Sequence, residues 1–384
     1  MKVLINTLSL RAGGGQKVGY NIVSYLLANK NKYPAFDFYF LCAKNSKLYD
    51  LLIANREENI VALNSSNKFN YMINYFFKIP NLLKKIKPAV VYSIFGYPLC
   101  PKKYCNVIGE AASNIFFPEI NFWEDYKGFS LAKKKFIDSI RIRALKQADG
   151  IIFENEAMFR RSHTVFKIPE EKTCFIKPAI DKSINENIIN ERLDSNFKLL
   201  LLCSWQLNKN IMIIPKLLEY IKQKGENIKV LFSVKSNETN NIAQQFYKEI
   251  QNRKVENYIE YIGSISPEKL PNIYEKIDAV LLLSKLESFS NNIIEAWKFQ
   301  KPLIISDMEW SRSIIKNPAA CFVNRDDIND IFETVLKLKK DKSYYDNIVL
   351  KGKEELNKYP NIDIFVQEIF DFIEKIIKNS EKEK

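Results

Sequence analysis

Residues 278–307 read DAVLLLSKLESFSNNIIEAWKFQKPLIISD, and the order of residue types in them decides how the chain is built. Asp278 to Ser284 is an apolar run of strand length. Asn291 and Asn292 supply capping side chains ahead of Ile293, Ile294, Ala296 and Trp297, which recur at helical spacing. Lys301-Pro302 ends that helix, and Leu303 to Ser306 reads as the next buried strand. The stretch is a strand-loop-helix-strand unit, and in sheets of such units ligands collect where strand ends meet helix starts. Glu287 and Glu295 lie on that boundary, one in the loop and one a turn into the helix. First-turn N–H groups near Ser290, Asn291 and Asn292 have no intrahelical partner and can hold an anion. Carboxylates suit sugar hydroxyls and N–H groups suit phosphate, so the pattern points to a nucleotide-sugar site.

A chain of 384 residues is too long for one ordinary core, so two domains are expected. No segment approaches the roughly 20 apolar residues of a membrane span. MKVLINTLSL at the start is too short in its apolar run for a signal peptide and reads as a first strand. The six cysteines (42, 100, 105, 174, 203 and 321) show no CxxC spacing, and with a single histidine they make a poor metal set. His163, in the polar stretch RRSHTVF, reads as a surface residue. Residues 1–183 hold 28 Lys and Arg against 15 Asp and Glu, whereas residues 184–384 hold 30 of each. The whole net charge of +13 therefore lies in the first half, which calls for an anionic partner. No nucleic-acid motif accompanies it, so an anionic membrane surface is favoured.

Outward from the diglutamate stretch the same alternation recurs. Lys2 to Ser9, Phe36 to Ala43, Ala89 to Phe95, Asn106 to Gly109 and Gly150 to Phe153 read as strands between helical segments. Residues 182–196, KSINENIINERLDSN, read as a linker. Strands at Phe197 to Cys203, Ile228 to Val234 and Ile259 to Ile262 then restart the pattern, with helices at Ile211 to Gln223, Asn241 to Asn252 and Pro267 to Ile277. Gly13-Gly14-Gly15 precedes a helix carrying Val18, Ile22, Val23, Leu26 and Leu27. With Gly19 it imitates a dinucleotide fingerprint, but the second strand ends Leu41-Cys42-Ala43-Lys44 without the acid that a ribose needs. The glycines instead suit a loop passing close to phosphate or sugar.

These residues resemble the retaining GT-B glycosyltransferases of family 4, the glycosyl transferase group 1 type. The likeness is strongest from Asp149 to Asp327. It rests on Glu-x7-Glu with its flanking strands, on ADGIIFENEAMFRRSHTVFKIPEEKTCFIKPAID, on LLLLCSWQLNKNIMIIPKLLEYI and on SDMEWSRSIIKNPAACFVNRDD. The resemblance implies an α/β GT-B fold with two Rossmann-like, doubly wound domains facing a central cleft. Residues 1–182 would form the acceptor-side domain and 183–363 the donor domain, with a helix in 364–384 packing back on the first. It implies that Lys209 meets the donor pyrophosphate, Glu287 the transferred sugar and Glu295 the ribose. Ser288, Phe289, Ser290, Asn291 and Asn292 would line the donor, Gly263 and Ser264 would meet the base, and Gly14, Gly15 and Ser204 would complete the set.

The chain departs from the family in two charged groups. The arginine that usually accompanies the lysine is absent, with Ser204 its nearest counterpart. The histidine usual after a first-domain strand is replaced by Gly109-Glu110, which makes Glu110 a candidate acceptor-side group. With no DxD-like cluster, Lys209 and a helix dipole would neutralise the leaving diphosphate, and neither a divalent metal nor another cofactor is expected. NIFFPEINFWEDY (Asn114 to Tyr126) precedes FSLAKKKFIDSIRIRALKQ (Phe129 to Gln147), where Phe136, Ile137, Ile140 and Leu145 accompany six basic residues. That helix either docks on an anionic bilayer holding a lipid-linked acceptor or packs on the sheet. The expected protein is a cytoplasmic, membrane-peripheral glycosyltransferase adding a hexose to a lipid-linked or oligosaccharide acceptor in bacterial surface glycan assembly. A GT-B nucleotide-sugar epimerase and a catalytically silent glycan-binding or scaffold subunit remain as alternatives.

Overall fold

The computed structural model describes residues 1–11, 13–64, 70, 73–96, 103–180, 196–316 and 318–382. The chain separates into two units. The first holds Met1–Pro118, Tyr126–Asp181 and Pro360–Lys384, and the second holds Glu119–Asp125 and Lys182–Tyr359. Residues 119–125, assigned from sequence to the first domain, thus belong to the second, and 360–363 belong to the first. The physical reason for the former is charge: Lys285 bonds Glu124 and lies 3.6 Å from Asp125. All of the expected linker except Asn196 lies outside the described residues.

The first unit is built on β1 (Lys2–Asn6), β2 (Asp37–Ala43), β3 (Ile60–Leu63), β4 (Val90–Ser93), β5 (Cys105–Glu110), β6 (Gly150–Phe153) and β7 (Thr173–Phe175). They form one parallel sheet in the order β3-β2-β1-β4-β5-β6-β7. Both faces are covered, so alternate residues of one strand serve different cores. Val3 and Ile5 join Phe40, Tyr92 and Val107 on one face. Leu4 joins Leu41 and Val91 on the other, against Ile79, Leu83 and Ile86. The last helix, Ile362–Lys382, contributes Phe365, Val366, Ile369, Phe370, Ile373, Ile376 and Ile377 to the first of these cores. That apolar stripe has helical spacing and is what holds the C-terminal segment to this unit.

The triglycine departs from its expected role as a loop. Gly13, Gly14 and Gly15 form the first turn of the helix Gly13–Ala28, with Gly13 at φ +69°. Burial of Ile22, Val23 and Leu26 anchors the helix, which propagates back to the residue that only glycine readily places at positive φ. Several strands are also shorter than their apolar runs, because pairing stops before side-chain burial does: Leu283 is buried beyond the end of its strand.

The second unit is built on β8 (Phe197–Leu201), β9 (Ile228–Phe232), β10 (Ile259–Tyr261), β11 (Ala279–Leu282), β12 (Leu303–Ser306) and β13 (Cys321–Val323). These are parallel, in the order β10-β9-β8-β11-β12-β13. The chain winds outward from β8 in both directions, which puts the topological switch between β8 and β11.

Just beyond β6, Glu154 sits where burial pushes its carboxyl from 4.5 up to about 7. A raised carboxyl favours the folded state while protonated, and that contribution disappears as pH rises through the folded value. Glu154→Gln is therefore expected to leave stability unchanged near pH 4 and to raise it by on the order of 3 kcal/mol at pH 8. Thermal unfolding of both proteins across that range checks the sign; equal curves at pH 8 would contradict it.

Candidate functional site

Open α/β sheets take ligands outside the carboxyl ends of the strands that flank the switch. Lys209 follows β8 in a 3-10 turn, Leu207–Lys209, and Glu287 lies in the loop between β11 and the helix Asn291–Lys298. The structure brings them together: Lys209 Nζ donates to Glu287 Oε1, and Ser284 Oγ donates to the same oxygen at 2.6 Å. Ser284 is held in turn by its carbonyl, which accepts from Ser306 Oγ at 2.9 Å. Lys209 and Glu287 are 20% and 13% exposed, so the pair is mostly buried but still reaches solvent. Cys203 lies close beside it. Burial pushes its thiol up to about 12, with Lys209 pulling down and Glu287 pushing up, so it is an inert packing residue.

The helix Asn291–Lys298 begins one residue earlier than its expected caps allow. Ser290 occupies the N-cap position with extended backbone and makes no side-chain cap bond, while Asn291 and Asn292 are the first helical residues. Asn292 acts elsewhere: its amide donates to Leu202 O at 2.8 Å and ties the helix start to the end of β8. The rotation of the helix is fixed by Trp297. Its indole donates to Ala319 O at 2.9 Å. It also packs on Gly352 of the helix Lys342–Leu356, where a Cβ would lie 2.4 Å from the ring. Phe289 packs near Tyr359 with ring centroids 6.2 Å apart, and Ser288 and Phe289 are both half-buried.

Glu295 sits in the second turn of this helix, beside the fully buried Tyr274. Burial holds the Tyr274 phenol well above its ordinary range, and the Glu295 charge raises it further. Gly263 follows β10 at φ +71°, its N–H donating to Val234 O at 3.0 Å, and Ser264 beside it is exposed, as is Ser204. Glu110 belongs to the first unit, at the end of β5. Its buried carboxyl accepts from Ala112 N–H at 2.6 Å. Burial raises that group, while the N–H and Arg141 pull it back down. Gly14 is exposed and Gly15 half-buried in the first unit's opening helix.

Sequence reasoning missed Ser284, Tyr274, Lys285 and Arg325. Lys285 carried a visible signal, a cation inside an otherwise apolar strand-end run. Arg325 carried none, since VNRDD reads as an ordinary polar turn. Among the described residues, no group of three or more His, Cys, Asp or Glu is placed to hold a metal ion.

Known proteins resemble the chain in domain and fold. Residues 185–355 match the family model described as glycosyl transferases group 1. No curated protein sequence matches the chain significantly. Among solved structures, Anabaena Alr3699/HepE in complex with UDP-glucose is similar at 13% identity and TM-score 0.72, over 97% of this chain and 99% of that one. Sucrose-phosphate synthase from Thermosynechococcus elongatus is similar at 11% identity and TM-score 0.73, over 99% and 100%. The apo form of the lipopolysaccharide outer core galactosyltransferase WaaB is similar at 16% identity and TM-score 0.64, over 97% and 99%. The chain has the GT-B fold, and its residues 185–355 form a glycosyl transferases group 1 domain.

Proposed function

We propose that this glycosyltransferase moves a hexose, with retention, from a nucleotide-sugar donor to a lipid-linked glycan acceptor during bacterial surface polysaccharide or glycan assembly. The Lys209–Glu287 pair at the switch between β8 and β11 carries this reading. Cleavage of the sugar–diphosphate bond builds negative charge on phosphate and oxocarbenium character on the sugar. Lys209 and the N–H groups at the start of the helix Asn291–Lys298 stabilise the first. Glu287, held by Ser284, orients the sugar and offsets the second. Glu295 takes the ribose hydroxyls, and Gly263 and Ser264 the base. Acceptor attack from the face that the diphosphate leaves gives retention without a protein nucleophile. UDP-glucose in the similar Anabaena protein supports a UDP-hexose donor, and the lipopolysaccharide role named for WaaB supports a lipid-linked acceptor.

Replacing Glu287 by Gln, or Lys209 by Ala, is expected to raise the barrier by about 2–4 kcal/mol, a loss of roughly 30- to 1,000-fold in kcat. Release of nucleoside diphosphate from UDP- or GDP-hexoses measures it, and near-normal turnover by either variant would refute the assignment. Since Lys209 and the helix start supply the positive charge, wild-type turnover in the same assay is expected to survive excess EDTA.

We place the enzyme peripherally on the cytoplasmic face of a membrane. The helix Gly128–Gln147 buries only Ala144 and Leu145. Phe129, Phe136 and Ile140 are 87%, 65% and 46% exposed, at spacings that share one helical face, and Lys133, Lys135 and Arg143 beside them are exposed too. An apolar stripe with basic neighbours suits an anionic interface. Flotation with vesicles containing anionic phospholipid is expected to recover the protein, and vesicles of neutral lipid are not. Phe136→Asp should abolish recovery, and an unchanged bound fraction would dismiss the membrane reading.

A further inference from the structure

Three strand-end loops of the second unit are laced together around the turn Leu207–Lys209. Lys285 N–H, from the loop after β11, donates to Asn208 O at 2.8 Å. Asn210 lies just past Lys209 in the left-handed region at φ 54°, which asparagine tolerates better than most residues. Its amide donates to Arg325 O at 2.8 Å and to Asp326 Oδ1 at 3.3 Å, fixing the loop after β13. Each loop delivers one cation: Lys209, Lys285 and Arg325. The last two are near neighbours, because burial and then the Arg325 guanidinium pull the Lys285 ammonium below its ordinary value.

The three cations differ in what they already hold. Lys209 is bound by Glu287, and Lys285 by Glu124 with Asp125 behind it. Among the described residues, the Arg325 guanidinium pairs with its neighbour Asp326 alone, through Nη2 at 3.4 Å. Its Nη1 is buried and has no protein acceptor among the described residues. A mostly buried guanidinium with one nitrogen lacking an acceptor suits a phosphate, whose oxygens accept charge-assisted N–H bonds. A lysine in its place would offer only a point charge.

We propose that Arg325 binds the diphosphate of the nucleotide-sugar donor, supplying from the loop after β13 the second cation that this chain lacks beside Ser204. The assignment rests on the donor-site reading above. Arg325 and Lys209 then neutralise the departing diphosphate from two sides, and Asn210 positions one relative to the other. Lys285 holds residues 119–125 through the carboxylates of Glu124 and Asp125 and stays a structural cation.

Calorimetric titration of wild type, Arg325→Met and Arg325→Lys with UDP, GDP, UMP, GMP and a detergent-solubilised polyprenyl phosphate tests this. Arg325→Met is expected to weaken the preferred nucleoside diphosphate by about 10- to 100-fold while leaving the matching monophosphate within about threefold. Arg325→Lys should recover part of the loss, and melting curves for all three proteins exclude misfolding as its cause. Unchanged diphosphate affinity, equal losses for mono- and diphosphate, or a loss confined to the polyprenyl phosphate would each overturn the proposal. A wild-type protein that binds neither UDP nor GDP would instead sink the donor-site reading, and this proposal with it.

Discussion

The ion pair between Lys209 and Glu287 is the contact on which the organisation of the second unit turns. It joins the loops that follow β8 and β11, the two strands between which the winding of the chain reverses. Both side chains are mostly buried, so either charge left without the other would be poorly solvated, at a cost on the order of 3 kcal/mol. On the proposed reading a nucleotide sugar changes that balance without stranding either group, because phosphate would serve Lys209 and hydroxyls would serve Glu287. Ser284 contributes by keeping the carboxylate oriented whichever partner it has.

Precision at this site comes from apolar packing at a distance. The helix Asn291–Lys298 has only two turns, too short to be stable by itself, and depends on tertiary contacts. Ile293, Ile294, Ala296 and Trp297 are buried, and the Trp297 indole lies on Gly352 with no room for a side chain there. Asn292 then fixes the start of the helix to Leu202. These contacts set the position of Glu295 relative to the loop that carries Glu287. The interior of the unit thus acts on the chemistry through rotation and register of one short helix.

Charge is distributed in a different way in the two units. In the second, the cations near the strand ends are matched with carboxylates drawn from several loops, as with Lys285 and Glu124, so the local field is strong while net charge stays near zero. In the first, the excess of Lys and Arg is borne on surfaces such as the helix Gly128–Gln147, whose apolar side chains also face water. The former arrangement suits selection of one small anionic ligand, the latter attraction to an extended anionic surface.

Much of the fold was legible in the chain itself. The runs Gly150 to Phe153 and Leu303 to Ser306 are strands at the residues where they were read, because a buried parallel strand must be apolar throughout and its boundaries here are a charged residue and a proline. The alternation of such runs with helical periods determined two α/β units, and Glu-x7-Glu marked one loop-helix boundary as the candidate site. Local pattern did not reveal that Lys209 meets Glu287, 78 residues away, or that Asn210 grips the loop of Arg325, 115 residues away. Nor did it place residues 119–125 in the second unit or the triglycine inside a helix. Periodicity reports which face of an element is buried. Which strand ends become neighbours follows from sheet order, and the tertiary structure alone decided that.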